Sequence, residues 1–227
     1  MTCSCADFPV FTPGQFTKFG VVRDEKIISR PYSLVNSSDN PELEIIAVPV
    51  AEGLLSPELH AMQTGDDIKV MAPATGFLVL DEVPDSQNLW LLATGTGVGP
   101  FLSILSAPEA WQRFDKITLV YGVRHGDDLA YVHNIQYWLQ QYPQRFSFIP
   151  VVSREPMPGA LRGRIPALLQ SGELQQESQQ SLNATDSQVM LCGNPQMITS
   201  ALEVLTDMGL KKHLRRSPGQ ISMERYW

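Results

Sequence analysis

The stretch Leu89-Trp90-Leu91-Leu92-Ala93-Thr94-Gly95-Thr96-Gly97-Val98-Gly99-Pro100 constrains the fold more than any other part of the chain. An apolar run of strand length breaks into alternating glycines and then a proline, which reads as a strand, a tight turn and the start of a helix. The glycines let backbone N–H groups approach a ligand closely, and Pro100 suits a first helical position, whose N–H has no intrahelical partner. Such a turn can receive a phosphate or a cofactor ring. The spacing is not that of the dinucleotide fingerprint G-x-G-x-x-G, and no acidic residue closes a strand about twenty residues later. By itself, then, the turn does not separate a nucleotide site from a tight strand-to-helix connection.

Different patterns lie on either side of it. Residues 1–82 alternate like short strands, at Phe16–Val22, Ile27–Val35, Leu43–Val50, Ile68–Met71 and Phe77–Leu80, with turn chemistry at 36–41, 64–67 and 73–76. Strands of this length and spacing predict a small antiparallel β-barrel. A helical turn is expected at Ser56-Pro57, with the serine as cap and the proline at the first helical position. After a polar linker at 83–88, strands at Leu89–Ala93, Ile117–Val123, Phe146–Val152 and Val189–Cys192 alternate with helical patterns near Pro100–Ser106, Tyr131–Tyr142, Ile165–Gln170 and Gln196–Met208. That alternation over 89–220 predicts an α/β domain with a parallel sheet and right-handed crossovers. The glutamine- and serine-rich stretch Gln170–Gln188 reads as a connecting loop, and residues 221–227 read as a C-terminal tail.

A chain of 227 residues with 43% hydrophobic content can bury the cores of two small domains. Its 17 basic and 24 acidic residues leave a net charge of −7, which argues against general binding to nucleic acid or membrane surfaces. The one strongly basic run is Lys211-Lys212-His213-Leu214-Arg215-Arg216. Cys3, Cys5 and Cys192 form no C-x-x-C or Cys/His group, so no metal site is expected, and reduced thiols in a cytoplasmic protein are. No apolar run approaches the roughly 18 residues of a membrane span, and the first residues lack a basic-then-apolar signal region. His60, His125, His133 and His213 are scattered and read as surface or satisfied core residues.

Ligands of open α/β sheets bind beyond the carboxyl ends of the strands, which is where Gly95–Gly99, Arg124, Ser153-Arg154 and Gly193-Asn194 fall. In the first half, Arg30-Pro31-Tyr32-Ser33 sets a guanidinium, a ring and a hydroxyl along one extended segment, with Arg30 and Tyr32 on one face. These segments occur in order with Gly14-Gln15-Phe16, Gly53-Leu54-Leu55-Ser56, Cys192-Gly193-Asn194-Pro195 and a terminal Tyr226-Trp227. The ordered set resembles the ferredoxin–NADP reductase family, in particular its bacterial flavodoxin/ferredoxin–NADP reductases, from about Pro13 to Trp227.

The resemblance implies an FAD-binding β-barrel followed by an NADP-binding α/β domain. Hydride would pass between NADPH and flavin N5, and single electrons between flavin and ferredoxin or flavodoxin. For FAD it implies Arg30 and Pro31 at the pyrophosphate, Tyr32 stacked on the isoalloxazine and Ser33 near N5. It also implies the backbone of Ile46, Ala47 and Val48 at the flavin's polar edge, N–H groups of Leu54, Leu55 and Ser56 at phosphate, and Tyr226-Trp227 closing over the cofactor. Tyr32, Ser33 and Thr96 align the reactants, with Thr96 also touching flavin. For NADP it implies Val123, Arg124, Ser153, Arg154 and Arg164, with Asn194 mainly a helix cap. Cys192 is open between buried structure and a lining of the nicotinamide site. A monomer is expected, with an acidic redox partner docking on the basic run that includes Arg215 and Arg216. Other outcomes of the same fold are an NAD(P)H–flavin reductase serving another acceptor, and a flavin-binding subunit without turnover. One departure stands out: only Met1–Pro13 precede Gly14-Gln15-Phe16, where the family usually has a further strand and turn, which leaves two readings open, a misassigned start or an open barrel that lacks its first strand and has an unpaired edge.

Overall fold

The computed structural model describes residues 1–225. Two compact units form: residues 1–80 together with 99–107, and residues 81–98 together with those from 108 onward. The division differs from the sequence boundaries at 82 and 89, since residues 81–88 group with the second unit. The segment opened by Gly99-Pro100, which follows the glycine turn in the chain, groups with the first unit.

The first unit carries β1 (Thr2–Ser4), β2 (Phe16–Arg23), β3 (Lys26–Ser33), β4 (Glu42–Glu44), α1 (Ser56–Ala61), β5 (Lys69–Val70) and α2 (Gly99–Ser106). Strands β3, β2 and β5 form one antiparallel sheet, in which Phe19 opposes Arg30 and Thr17 opposes Tyr32. Asp24 and Glu25 both take positive φ in the two-residue β2–β3 turn, as the right-handed twist of a tight hairpin demands. Phe19, Leu34, Ile45 and Leu55 fill the core beneath.

The residues before Gly14 do supply a short strand, since β1 pairs antiparallel with β4 from Thr2–Glu44 to Ser4–Glu42. The strand expected over Leu43–Val50 is much shorter. Beyond Ile45, bridged to Leu34, the backbone of residues 46–48 pairs with nothing among the described residues, and Pro49 has no N–H to offer a ladder. Phe77–Leu80 is likewise not a strand. Leu78 packs its carbonyl against Gly14, where a Cβ would stand 2.1 Å away, and a 3₁₀ turn follows at Leu80–Glu82. Ser56 is the first residue of α1 rather than its cap; Leu55 holds the cap position, and the Ser56 hydroxyl accepts from the Val50 N–H at 3.1 Å.

The second unit holds β6 (Asn88–Thr94), α3 (Pro108–Arg113), β7 (Lys116–Val123), α4 (Val132–Gln141), β8 (Phe146–Val152), β9 (Leu161–Arg162), α5 (Ile165–Ser171), α6 (Glu173–Ser178), β10 (Ser187–Gly193), α7 (Pro195–Asp207) and β11 (Ile221–Arg225). Its strands form one six-stranded sheet in the order β11-β10-β6-β7-β8-β9, every pair parallel. Residues of β6 and β10 are buried in succession rather than alternately, as helices on both faces require.

Two readings are corrected here. Gln170–Gln188 is not a plain loop, because α6 lies within it and sends Leu174 into the core with Leu182, while Gln180 is buried and accepts from the Thr118 hydroxyl. Two leucines were enough to anchor a segment whose average composition is polar. Residues 221–225, the described part of the tail expected over 221–227, form the edge strand β11, lying alongside β10.

Candidate functional site

In the first unit the residues expected at a flavin lie along β3 and the open segment after β4. Arg30 is exposed, and its guanidinium donates to the Ser29 carbonyl at 2.8 Å. Tyr32 is half-buried, its ring 6.1 Å from Phe19 in an edge-to-face contact, and burial pushes its phenol up against the opposing pull of Arg30. Ser33 is only 5% exposed. The start of α2 comes close beside it: a Cβ on Gly99 would lie 3.7 Å from that of Ser33. The Ser103 hydroxyl of α2 donates to the Asn36 carbonyl at 2.8 Å, fixing the chain just past β3. Asn36 in turn spans the 37–44 loop, donating to Ser37 and Glu42 carbonyls and accepting from the Glu44 N–H.

The unpaired backbone of Ile46, Ala47 and Val48 is the feature that fits a flavin best, since N–H and C=O groups without a ladder partner need one from elsewhere. Val48 and Leu54 stand 56% and 58% exposed, apolar surface of the kind a bound ligand covers. Leu55, by contrast, is a core residue at 1% exposure, so only its backbone is available to a phosphate. Tyr226 and Trp227 lie outside the described residues.

In the second unit the turn after β6 and the turn after β10 meet. A Cβ on Gly97 would stand 2.6 Å from the Cys192 carbonyl oxygen, and one on Gly193 2.4 Å from Thr94 Oγ1. Gly193 also has φ +128, which excludes an ordinary side chain on conformational grounds as well. Thr96 lies in the 3₁₀ turn Gly95–Val98. The Asn194 N–H donates to Thr94 Oγ1 at 2.9 Å, and its side-chain oxygen accepts from Gln196 and Met197 N–H groups, so Asn194 does cap α7. Cys192 is fully buried.

The arginine residues expected at NADP stand at three successive strand ends. Val123 closes β7 and its carbonyl accepts from both the N–H and the hydroxyl of Ser153, at 3.1 and 3.2 Å. One residue further on, the Arg154 N–H donates to the Arg124 carbonyl at 3.0 Å. The end of β8 also holds the next strand, as the Gly163 N–H donates to the Val152 carbonyl, and Arg164 follows as the cap residue of α5. Arg124, Ser153, Arg154 and Arg164 are all exposed.

The basic run does not continue α7. Residues 211–214 are folded back on 217–221, with Gln220 and Ile221 N–H groups donating to the Lys211 carbonyl and His213 donating to that of Ile221. Arg215 is committed to Glu82 through two contacts, at 2.6 and 3.0 Å, and the guanidinium holds that carboxyl below its ordinary range.

Two carboxylates escaped the sequence reading. Glu155 follows Arg154 directly, and its Oε1 accepts from the Gly126 N–H at 2.7 Å. Glu224 sits in β11 opposite Cys192, with burial pushing it up to about 7. The signal for Glu224 was available as a single acid in the short alternating run Ile221-Ser222-Met223-Glu224. Among the described residues no group of three or more His, Cys, Asp or Glu side chains could hold a metal, and no helix is long and apolar enough to cross a membrane.

Residues 91–203 match the family model described as an oxidoreductase NAD-binding domain. The chain is 47% identical over 218 residues to a flavodoxin/ferredoxin–NADP reductase of Shigella flexneri and, equally, to one of Escherichia coli K12; each match covers 96% of this chain and 88% of the relative. A crystal structure of a ferredoxin NADP+ reductase from Neisseria gonorrhoeae with bound FAD and NADP superposes with a TM-score of 0.94 at 36% identity, over 99% of this chain and 90% of that one.

Proposed function

This chain belongs to the flavodoxin/ferredoxin–NADP reductase family, and from that premise we infer that it is an FAD-dependent oxidoreductase exchanging hydride with NADP(H) and single electrons with ferredoxin or flavodoxin. The observation that carries the nucleotide half of this reading is the row Arg124, Arg154 and Arg164 at three adjacent strand ends of a chain whose net charge is −7. Planar guanidinium groups at one sheet edge suit a phosphate dianion, as an adenosine 2′-phosphate is. A cytoplasmic setting goes with this function.

Flavin, when bound, supplies the chemistry, because it takes two electrons together and releases them singly. The residues bind, orient and exclude water. Tyr32 offers a flat, half-buried ring for stacking, with Arg30 two residues away on the same face for the pyrophosphate and Pro31 rigidifying the strand between them. Ser33 would hold a hydroxyl toward the flavin ring. Backbone groups of Ile46, Ala47 and Val48 would bond its polar edge, and N–H groups of Leu54, Leu55 and Ser56 would hold phosphate. Thr96 and the Val123–Arg124 and Ser153–Arg154 ends align the nicotinamide nucleotide, with Asn194 fixing the turn beside them. Alignment of donor and acceptor is the larger part of the rate gain, and no general acid is required.

Steady-state NADPH oxidation with flavodoxin or ferredoxin as acceptor tests the reading. Each charge-assisted contact is worth roughly 1.5–3 kcal/mol, so Arg154→Ala/Arg164→Ala is expected to cost about two to four decades in kcat/KM for NADPH while sparing NADH. Equal use of NADH and NADPH by the wild type overturns the assignment of these arginine residues.

A further inference from the structure

Between the two arginine-bearing turns lies a bond that neither a phosphate site nor a sheet needs for its own sake. The Glu155 carboxylate reaches across from the turn after β8 to the turn after β7, where Oε1 accepts from the Gly126 N–H at 2.7 Å and Oε2 stands 3.4 Å from His125 Nδ1. The receiving turn is itself closed, since the His125 N–H donates to an Asp128 carboxylate oxygen at 3.0 Å and the Leu129 N–H to the Gly126 carbonyl. Space around Gly126 is tight: a Cβ there would lie 2.9 Å from Met157 Sδ and 3.7 Å from Glu155 Oε1. Together with the Arg154–Arg124 and Ser153–Val123 backbone bonds, this makes a rigid double turn with one arginine on each limb. A carboxylate beside a phosphate site would ordinarily repel it. Here both oxygens are engaged, and the Gly126 N–H and then His125 hold the carboxyl below its ordinary range.

We propose that Glu155 is a specificity-determining positioning residue: by accepting from the Gly126 N–H it locks the two turns together and sets the spacing of Arg124 and Arg154 for an adenosine 2′-phosphate. It does not touch the phosphate. The proposal rests on the reading of these arginine residues as the NADP site. A bond between backbone and side chain restrains both turns at the residues next to the arginine residues, and a guanidinium pair recognises a phosphate only if its spacing is held.

Two variants remove the bond from opposite sides. Glu155→Ala deletes the acceptor. Gly126→Pro deletes the donor, and the Cβ it adds, 2.9 Å from Met157 Sδ, displaces the end of that flexible side chain, so Met157→Ala alone is its control. The backbone otherwise suits proline, since the position opens a 3₁₀ turn and the preceding His125 is extended at φ −122, ψ 154. Glu155→Gln keeps an oxygen acceptor without the charge. The purified holoenzyme is titrated calorimetrically with 2′,5′-ADP and with 5′-AMP, and KM and kcat are measured with NADPH and NADH. The expected result is a Kd for 2′,5′-ADP and a KM for NADPH raised about tenfold or more in Glu155→Ala and Gly126→Pro. Binding of 5′-AMP, the KM for NADH and kcat at saturating NADPH should stay within about twofold, and Glu155→Gln should restore tight binding. Tighter NADPH binding in both Glu155 variants would make the carboxylate an opponent of the phosphate and overturn the proposal. Equal losses toward both nucleotides would make the bond merely structural, which also overturns it. Arg154→Ala is the separate control. If it leaves 2′,5′-ADP binding intact, the NADP reading itself fails and the role of Glu155 falls with it.

Discussion

Glu224 is a carboxyl that a chain of this kind would be expected to keep in water, yet β11 holds it opposite Cys192 at the buried end of β10. Burial raises it from 4.5 to about 7. A group whose folded value is raised binds its proton more tightly in the native state, so stability is complete below the unfolded value and is lost as pH rises through the folded one. The window therefore runs from about pH 4.5 to about pH 7, and the loss across it is roughly 3 kcal/mol, at about 1.4 kcal/mol per unit. Urea unfolding of wild type and Glu224→Gln at pH 5 and pH 8 checks this. The wild type should lose more stability than the variant between the two, by about that amount, and an identical pH response in both proteins would remove Glu224 as the cause. Gly193 makes a second residue-scale case, in which sequence and structure agree. Its φ of +128 and the 2.4 Å that would separate a Cβ from Thr94 Oγ1 leave no room for alanine. Gly193→Ala is expected to cost about 2–4 kcal/mol by denaturant melts, combining backbone strain with overpacking.

Strands and helices with a long, regular apolar pattern were legible in the sequence, and short ones held by a partner were not. Phe146–Val152 and the α7 region were read almost to the residue, because five of the seven strand residues are Phe, Ile or Val, and a long amphipathic helix repeats its period several times. β1, β9 and β11 span 3, 2 and 5 residues, and each exists because a neighbour offers an edge, which no local pattern records. α3 is of the same kind. Its six residues are held at the C-terminal end by Arg145, whose guanidinium donates to the carbonyls of Trp111, Phe114 and Asp115. Those carbonyls are the orphan acceptors of a helix end, satisfied here from the strand that begins next to Arg145. Arg145→Ala leaves several acceptors without a donor, and a loss of about 1–3 kcal/mol is expected in thermal or urea melts. Arg145→Lys should recover only part of it, because one ammonium cannot reproduce the planar fork.

For the molecule as a whole, the candidate site residues that carry motif and chemistry together, Arg30–Ser33, Arg124, Ser153–Arg154 and Asn194, could be singled out from the sequence. Glu155 and Glu224, whose settings are made by a facing turn and a neighbouring strand, could not. The same distinction governs the basic run, whose charge was plain but whose arrangement was not. Lys211, Lys212, Arg215 and Arg216 are exposed on a segment folded back before β11, and Arg215 is spent on Glu82. Among the described residues no carboxylate pairs with Lys211, Lys212 or Arg216, so these three carry the positive field of this segment, and we propose that an acidic ferredoxin or flavodoxin meets it there. An exposed charge acts over about 10 Å at 0.1 M salt, so the field steers encounter more than it adds affinity. Replacing Lys211, Lys212 and Arg216 together by glutamine should therefore lower kcat/KM for the protein acceptor severalfold at low salt and flatten its salt dependence. Turnover with an uncharged quinone acceptor should stay within about twofold, since a steering surface acts on the partner's on-rate and not on the flavin. Arg215→Gln is expected to have a smaller effect on the partner rate than the triple substitution, because it removes one positive charge instead of three and leaves Glu82 without its partner. Stopped-flow reduction of the partner from 20 to 200 mM salt, run on the four proteins with the Glu82→Gln variant as the fourth, separates the two roles. Releasing Arg215 by Glu82→Gln should raise the low-salt rate. A partner rate that ignores both salt and the triple substitution would show that docking takes place on another surface.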